Sequence, residues 1–155
     1  FSQTGTFLRI DPAMSVVGQG EAFTVDIVVD NVQDLAAFDV TLHFNPDHLQ
    51  VTSLVLGTFM GPGIGGNDYD NDTGLINFYH AIFGSEPANG SGILFTIHFT
   101  AKMVEADTKV TFDKVLTELV EDETFLLIPF TAQDGSVQIG EGGTEFMNYL
   151  PLVMR

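Results

Sequence analysis

Between Leu35 and Phe44 the chain alternates with a period of two. Phe38, Val40, Leu42 and Phe44 are apolar, and Asp39, Thr41 and His43 between them are polar. Successive side chains of a strand point to opposite faces, so this segment predicts a strand with one face buried and the other presented outward. Asn45-Pro46-Asp47 then stops it, because proline has no N–H for the ladder and Asn and Asp bond to their own backbone in turns. The outward set Ala37, Asp39, Thr41 and His43 is the first place to look for function.

The same reading gives strands at Thr6–Ile10, Ala22–Val29, Gln50–Leu56, Leu75–Phe83, Ile93–Lys102, Lys109–Phe112 and the Val115–Val120 region. Phe125–Phe130 and Ser136–Ile139 follow. Gln133-Asp134-Gly135 between the last two is a hairpin-type turn signal. Gly57–Gly74, rich in Gly, Asn and Asp, reads as the longest irregular segment. Helix signals are confined to a turn or two at Pro46–Leu49 and Asp113–Glu121. About nine short strands at this spacing predict an all-β sandwich. After Ile139, Gly140-Glu141-Gly142-Gly143 reads as a spacer before Thr144–Arg155 (TEFMNYLPLVMR), so the chain divides into a domain over 1–140 and a linker with tail over 141–155. Docking of the tail on its own domain, joining to a second copy and attachment of a longer protein all stay open. Phe1 as first residue suggests a mature or trimmed form.

A chain of 155 residues is long enough for one domain that buries about 68–70% of its unfolded surface. With 45% hydrophobic residues and 14 Phe it is not a disordered sequence. No apolar run approaches the roughly 20 residues of a bilayer span, so no membrane insertion is expected. The net charge of −16 repels phosphate backbones and anionic lipid, which removes nucleic acid from the partner classes. A basic protein or a divalent cation is compatible with it, and solubility alone also accounts for it. Zero cysteines exclude disulfides, cysteine-zinc sites and thiol catalysis.

The segments VVGQGEAFTVDIVVDNVQDLAAFDVTLHFNPDHLQV, GLINFYHAIF, GILFTIHFTAK and PFTAQDGSVQIG, in this order, resemble the cohesin family, the receptor modules of cellulosome-type scaffolds. The resemblance spans about Gly5 to Gly140. Its most specific parts are Phe44–Val51 (strand, Asn-Pro, then Leu-x-Val) and the closing Asp134-Gly135-x-Val137. It implies a nine-stranded sandwich of jelly-roll topology, extracellular or on a cell surface, that binds a dockerin through a flat sheet face without chemistry. Dockerins are paired-helix modules whose own loops carry calcium, so no cofactor of this chain is implied. The family has an Asn-x-Asp pair on the strand that here reads Ala37-Phe38-Asp39; the Asp is kept and the Asn is not.

If Leu75–Phe83 shares a sheet with Leu35–Phe44, and Ile76, Phe78, His80 and Ile82 point inward, then Asn77, Tyr79 and Ala81 join Ala37, Asp39 and Thr41 in one outward patch. Tyr79 is its natural anchor. The resemblance also places the loop before Leu75 beside the partner, with Asp70 or Asp72 as contacts. In that loop Asp68, Asp70 and Asp72 alternate as in a calcium loop, but the glycine falls one residue late and Tyr79 stands where the closing Glu belongs. That leaves a weak surface calcium site or an Asx-rich turn. His43, His48, His80 and His98 show no ligand spacing, and no nucleophile elbow, phosphate loop or dinucleotide motif is present. Two other readings stand beside docking. A polysaccharide-binding sandwich needs coplanar exposed aromatics, and only Tyr69, Tyr79 and Tyr149 are available without Trp. A structural or adhesive domain of a surface protein needs only the acidic surface and the tail.

Overall fold

A computed structural model of the chain describes residues 5–103 and 105–141. The tail Thr144–Arg155, with Tyr149, lies outside the described residues. Eleven strands are named: β1 (Thr6–Asp11), β2 (Met14–Gly18), β3 (Ala22–Phe44), β4 (Leu49–Leu56), β5 (Gly63–Asp70), β6 (Leu75–Ile82), β7 (Ala88–Ala101), β8 (Glu105–Phe112), β9 (Glu118–Glu121), β10 (Phe130–Gln133) and β11 (Gly135–Gly140).

The expected strands Ala22–Val29 and Leu35–Phe44 are one continuous strand, β3, that serves two layers. Its first part pairs with β1 and β7; its second part pairs with β6 on one side and with β9 and β8 on the other. The transfer occurs where the β7 register shifts between Val29 and Leu35, with Asn31 and Asp34 at φ of 59° and 55°. Bulges with left-handed residues bend a strand in this way, and Asn and Asp tolerate that region best. One layer therefore runs β10-β1-β3-β7-β4 and the other β5-β6-β3-β8-β11-β2.

The apolar rows of the two layers meet face to face. Phe95 of β7 stacks on Phe78 of β6 at 4.7 Å between ring centroids and on Phe38 of β3 at 6.0 Å. Phe44 meets Phe99 edge-on at 5.6 Å. Offset and edge-to-face pairs at such distances add to the area they bury. Val25, Ile27, Val40, Leu42, Leu49, Ile76, Ile97 and Leu119 fill the space around them.

Three expectations are corrected. Gly57–Gly74 is not wholly irregular, since Gly63–Asp70 is strand β5, paired along all of β6. All of β5 is exposed except half-buried Gly66, so no buried side announces it in the sequence. Strand β2 was likewise unannounced, because Ser15 takes a buried position while Met14 and Val16 are exposed. Phe125–Phe130 is not a strand: Phe125 sits exposed at φ 58°, Leu127 makes an isolated bridge to Val120, and pairing starts only at Phe130. Nor does Gln133-Asp134-Gly135 close a hairpin. β10 runs parallel to β1 in one layer, while β11 pairs with β8 and β2 in the other. The turn carries the chain between layers, fixed by a 2.9 Å bond from the Phe112 N–H to Asp134 Oδ1.

Candidate partner-binding face

Residues directly opposite each other in an antiparallel pair share a face. The register of β6 on β3 places Ala81 opposite Ala37, Tyr79 opposite Asp39, Asn77 opposite Thr41 and Leu75 opposite His43. Phe38, Val40 and Leu42, and Ile76, Phe78 and His80, are buried on the other side, as the alternation required. Ala37, Asp39, Asn77, Tyr79 and Ala81 thus form one outward patch. His80 is buried and engages the Gly61 carbonyl through Nε2 at 3.0 Å.

The structure extends this patch with residues that the sequence gave no reason to include. On β5, Ile64 lies opposite Ala81, Gly66 opposite Tyr79, and Asp68 opposite Asn77. On β9, Val120 lies opposite Ala37 and Glu118 opposite Asp39, and Leu127 is bridged to Val120. The outward surface therefore has an apolar row, Ile64-Ala81-Ala37-Val120-Leu127, and beside it a polar row, Gly66-Tyr79-Asp39-Glu118. No lysine or arginine stands in either row. Only the register, which joins segments dozens of residues apart, reveals these members.

Next to the polar row, Asn77 Nδ2 lies 2.7 Å from Asp39 Oδ1 and 3.1 Å from Thr41 Oγ1, donating to both. Tyr79 is half exposed, at 49%, and its ring lies back over Gly66: a Cβ added there would sit 2.8 Å from the tyrosine hydroxyl. The glycine leaves the room that this ring occupies. Thr41, expected to be available to a partner, is buried at 5%. Its N–H donates to Thr117 Oγ1 at 3.1 Å and its hydroxyl takes the bond from Asn77, so it supports the face from beneath. Sequence alternation gives the side that a residue faces, not whether a loop closes over it.

Asp68 and Asp70 follow the same side of β5, whereas Asp72 stands in the turn beyond. Asp70 Oδ1 accepts the N–H of Asp72 at 2.8 Å and of Thr73 at 3.3 Å, and these bonds hold its carboxyl below the usual range. Asn71 clamps the turn onto β4 through paired bonds with Val51, at 2.8 and 2.9 Å. Asp70 therefore closes an Asx turn at the edge of the face, and Asp72 is not brought to the Asp39–Tyr79 row. Among the described residues no group of three or more His, Cys, Asp or Glu is assembled that would hold a metal ion. On the opposite border, Asp113 lies 2.9 Å from His43 Nε2 and accepts the N–H groups of Leu116 and Val115. These contacts, the histidine first, hold its carboxyl low as well.

Comparison with known proteins identifies the family and the fold. Residues 12–139 match the Cohesin domain family, and the chain belongs to that family. Cellulose-binding protein A of Clostridium cellulovorans is 25% identical over 127 residues, which is 81% of this chain and 7% of that protein. The chain thus corresponds to a small part of that relative. Among solved structures, the third cohesin of ScaC from Acetivibrio cellulolyticus, in complex with the ScaB dockerin, has a TM-score of 0.76 at 19% identity, over 87% of this chain and 99% of that one. A cohesin in the OlpC complex with dockerin 435, from Clostridium thermocellum, gives 0.78 at 12% identity over 91% and 97%. A non-cellulosomal cohesin of the archaeon Archaeoglobus fulgidus gives 0.75 at 15% over 92% and 96%. The fold is that of a cohesin β-sandwich.

Proposed function

We propose that this chain is a non-catalytic docking module that takes a dockerin-type partner on the outward face of β5, β6, β3 and β9. The supporting observation is the level double row centred on Tyr79 and Asp39, which offers one large amphipathic anchor beside a carboxylate fixed by Asn77. Aromatic anchors ringed by polar groups are where binding energy concentrates. That solved relatives of the same fold were obtained with dockerins on them favours the same class of partner here. Calcium in such a complex resides in the partner. The face also argues against a sugar platform, since Tyr79 is the one aromatic ring in its two rows. Display outside the cell or on its surface fits a module of this kind.

The test is capture of purified dockerin modules by the full chain, in calcium and again in EDTA. Calcium-dependent binding is expected. Failure to hold any dockerin, together with retardation in gels containing a soluble polysaccharide, overturns the assignment in favour of carbohydrate.

A further inference from the structure

We propose that the tail docks on its own domain as one more strand. Residues 146–149 lie antiparallel along the outer edge of β2, with Met147 opposite Val16 and Tyr149 opposite Met14.

Strand β2 is the last of its layer and pairs only with β11 among the described residues. The Gln19 N–H donates to the Gly140 carbonyl at 3.0 Å, and the Ser136 N–H donates to the Ala13 carbonyl at 2.9 Å. A parallel ladder draws on alternate residues of a strand. Ala13, Ser15, Val17 and Gln19 therefore turn their backbone groups to β11, while Met14, Val16 and Gly18 turn theirs to the outer edge. Gly18 is closed there, because its N–H donates to Glu21 Oε1 at 2.6 Å and its carbonyl accepts the Glu21 N–H at 3.1 Å. The N–H and C=O groups of Met14 and Val16 meet no partner among the described residues. Edges that stay open are guarded by charge, proline or a bulge. Strand β2 (Met-Ser-Val-Val-Gly) has none of these, and the side chains of Met14 and Val16 stand 53% and 65% exposed.

The tail starts within reach of this edge. Gly140 lies opposite Gly18 at the end of the β11–β2 pair, so the chain leaves the domain one strand away from the open side. Two strand spacings, about 10 Å, separate β11 from a strand added outside β2, and residues 141–145 extend over about 16 Å. The chain then returns antiparallel. In the stated register Phe146 falls opposite Val17 and Asn148 opposite Ser15, on the inner side where Ser15 and Val17 are buried. Met147 and Tyr149 fall on the outer side, beside the exposed Val16 and Met14. Pro151 falls opposite Pro12, where neither residue has an N–H to give, so the ladder ends on both strands at once. Strands β2 and β5 stand at opposite ends of the layer, and a strand added beside β2 leaves the Tyr79–Asp39 row uncovered.

The experiment is amide hydrogen exchange, read residue by residue, on the full chain and on the double variant Met147→Pro with Tyr149→Pro. The two prolines remove the N–H groups that would face β2 and change no residue of the domain itself. The Met14 and Val16 amides are expected to exchange roughly tenfold or more slowly in the unaltered chain than in the double variant. Fast exchange of both amides in the unaltered chain overturns the proposal, and so does slow exchange that the prolines leave unchanged. A second reading needs no variant: Asn148 and Ser15 form a pair without mutual hydrogen bonds, whose α-protons approach closely enough for a nuclear Overhauser contact. Absence of that contact overturns the register. Protection of Met14 and Val16 that falls on dilution, with dimers seen in sedimentation, assigns the edge to a second copy and overturns the proposal as well.

Discussion

Asn77 and Asp39 are joined diagonally across the β3–β6 pair, with the amide nitrogen donating to the carboxylate at 2.7 Å. The same nitrogen lies 3.1 Å from the Thr41 hydroxyl and 3.3 Å from the Val40 carbonyl, so one side chain fixes the acid and satisfies groups beneath it. Asp39 is thereby aimed before any partner arrives, which lowers the cost of ordering it on binding. Asp39→Ala is expected to weaken dockerin binding by about 1–3 kcal/mol with the fold intact. Asn77→Ala should weaken it in the same direction, and the double variant should lose less than the sum, as calorimetry on all three will read. Strict additivity would mean that Asn77 does not act through Asp39.

Tyr79 and Gly66 give a second test. A methyl at position 66 meets only the far end of the tyrosine ring, which can swing away, so Gly66→Ala should reduce partner affinity with little change in thermal stability. Gly65→Ala is the contrast. There the new carbon runs into the Tyr79 carbonyl, part of the β5–β6 ladder, and overpacking costs about 1–3 kcal/mol. Calorimetry and thermal melts on both variants separate a change in the ring from a change in the ladder; equal stability losses would refute the distinction.

Phe95 is fully buried where the layers meet, stacked on Phe78 and Phe38. Removing its ring leaves a cavity that neither sheet can collapse into, because both are tied by their ladders. Phe95→Ala should cost about 3–5 kcal/mol in urea unfolding. A loss under 1 kcal/mol would show that the layers repack.

Two carboxylates are held below their ordinary range, Asp113 by His43 and the Leu116 and Val115 N–H groups, and Asp70 by the Asp72 and Thr73 N–H groups. A depressed folded-state value means that the unfolded chain binds protons first as the medium turns acid. The stability from these groups is fully present above the ordinary carboxylate value, near about pH 4. It is lost as pH falls through the depressed values. Melting temperature should therefore decline on that acid side, and Asp113→Ala with Asp70→Ala should flatten the decline. An identical acid limb in wild type and variant would dismiss both contacts.

Sequence alone determined which side of the Leu35–Phe44 strand faces inward, and it put Asp39, Asn77 and Tyr79 in one outward patch only on the condition that the two strands share a sheet, which the β3–β6 register supplied. Burial imposes a period of two, and Phe38, Val40, Leu42, Ile76 and Phe78 carry it plainly. It could not show β5, because an edge strand exposed almost throughout has no core side to mark it, and its pairing depends on glycines rather than on alternation. Long-range register decided the rest. It brought Ile64, Val120 and Leu127 into one row, buried Thr41 under Thr117 and Asn77, and turned Phe125, Leu126 and Leu127 outward while Ile128 and Phe130 pack against the core. Those outcomes depend on which backbones lie side by side, and local patterning carries no trace of that choice.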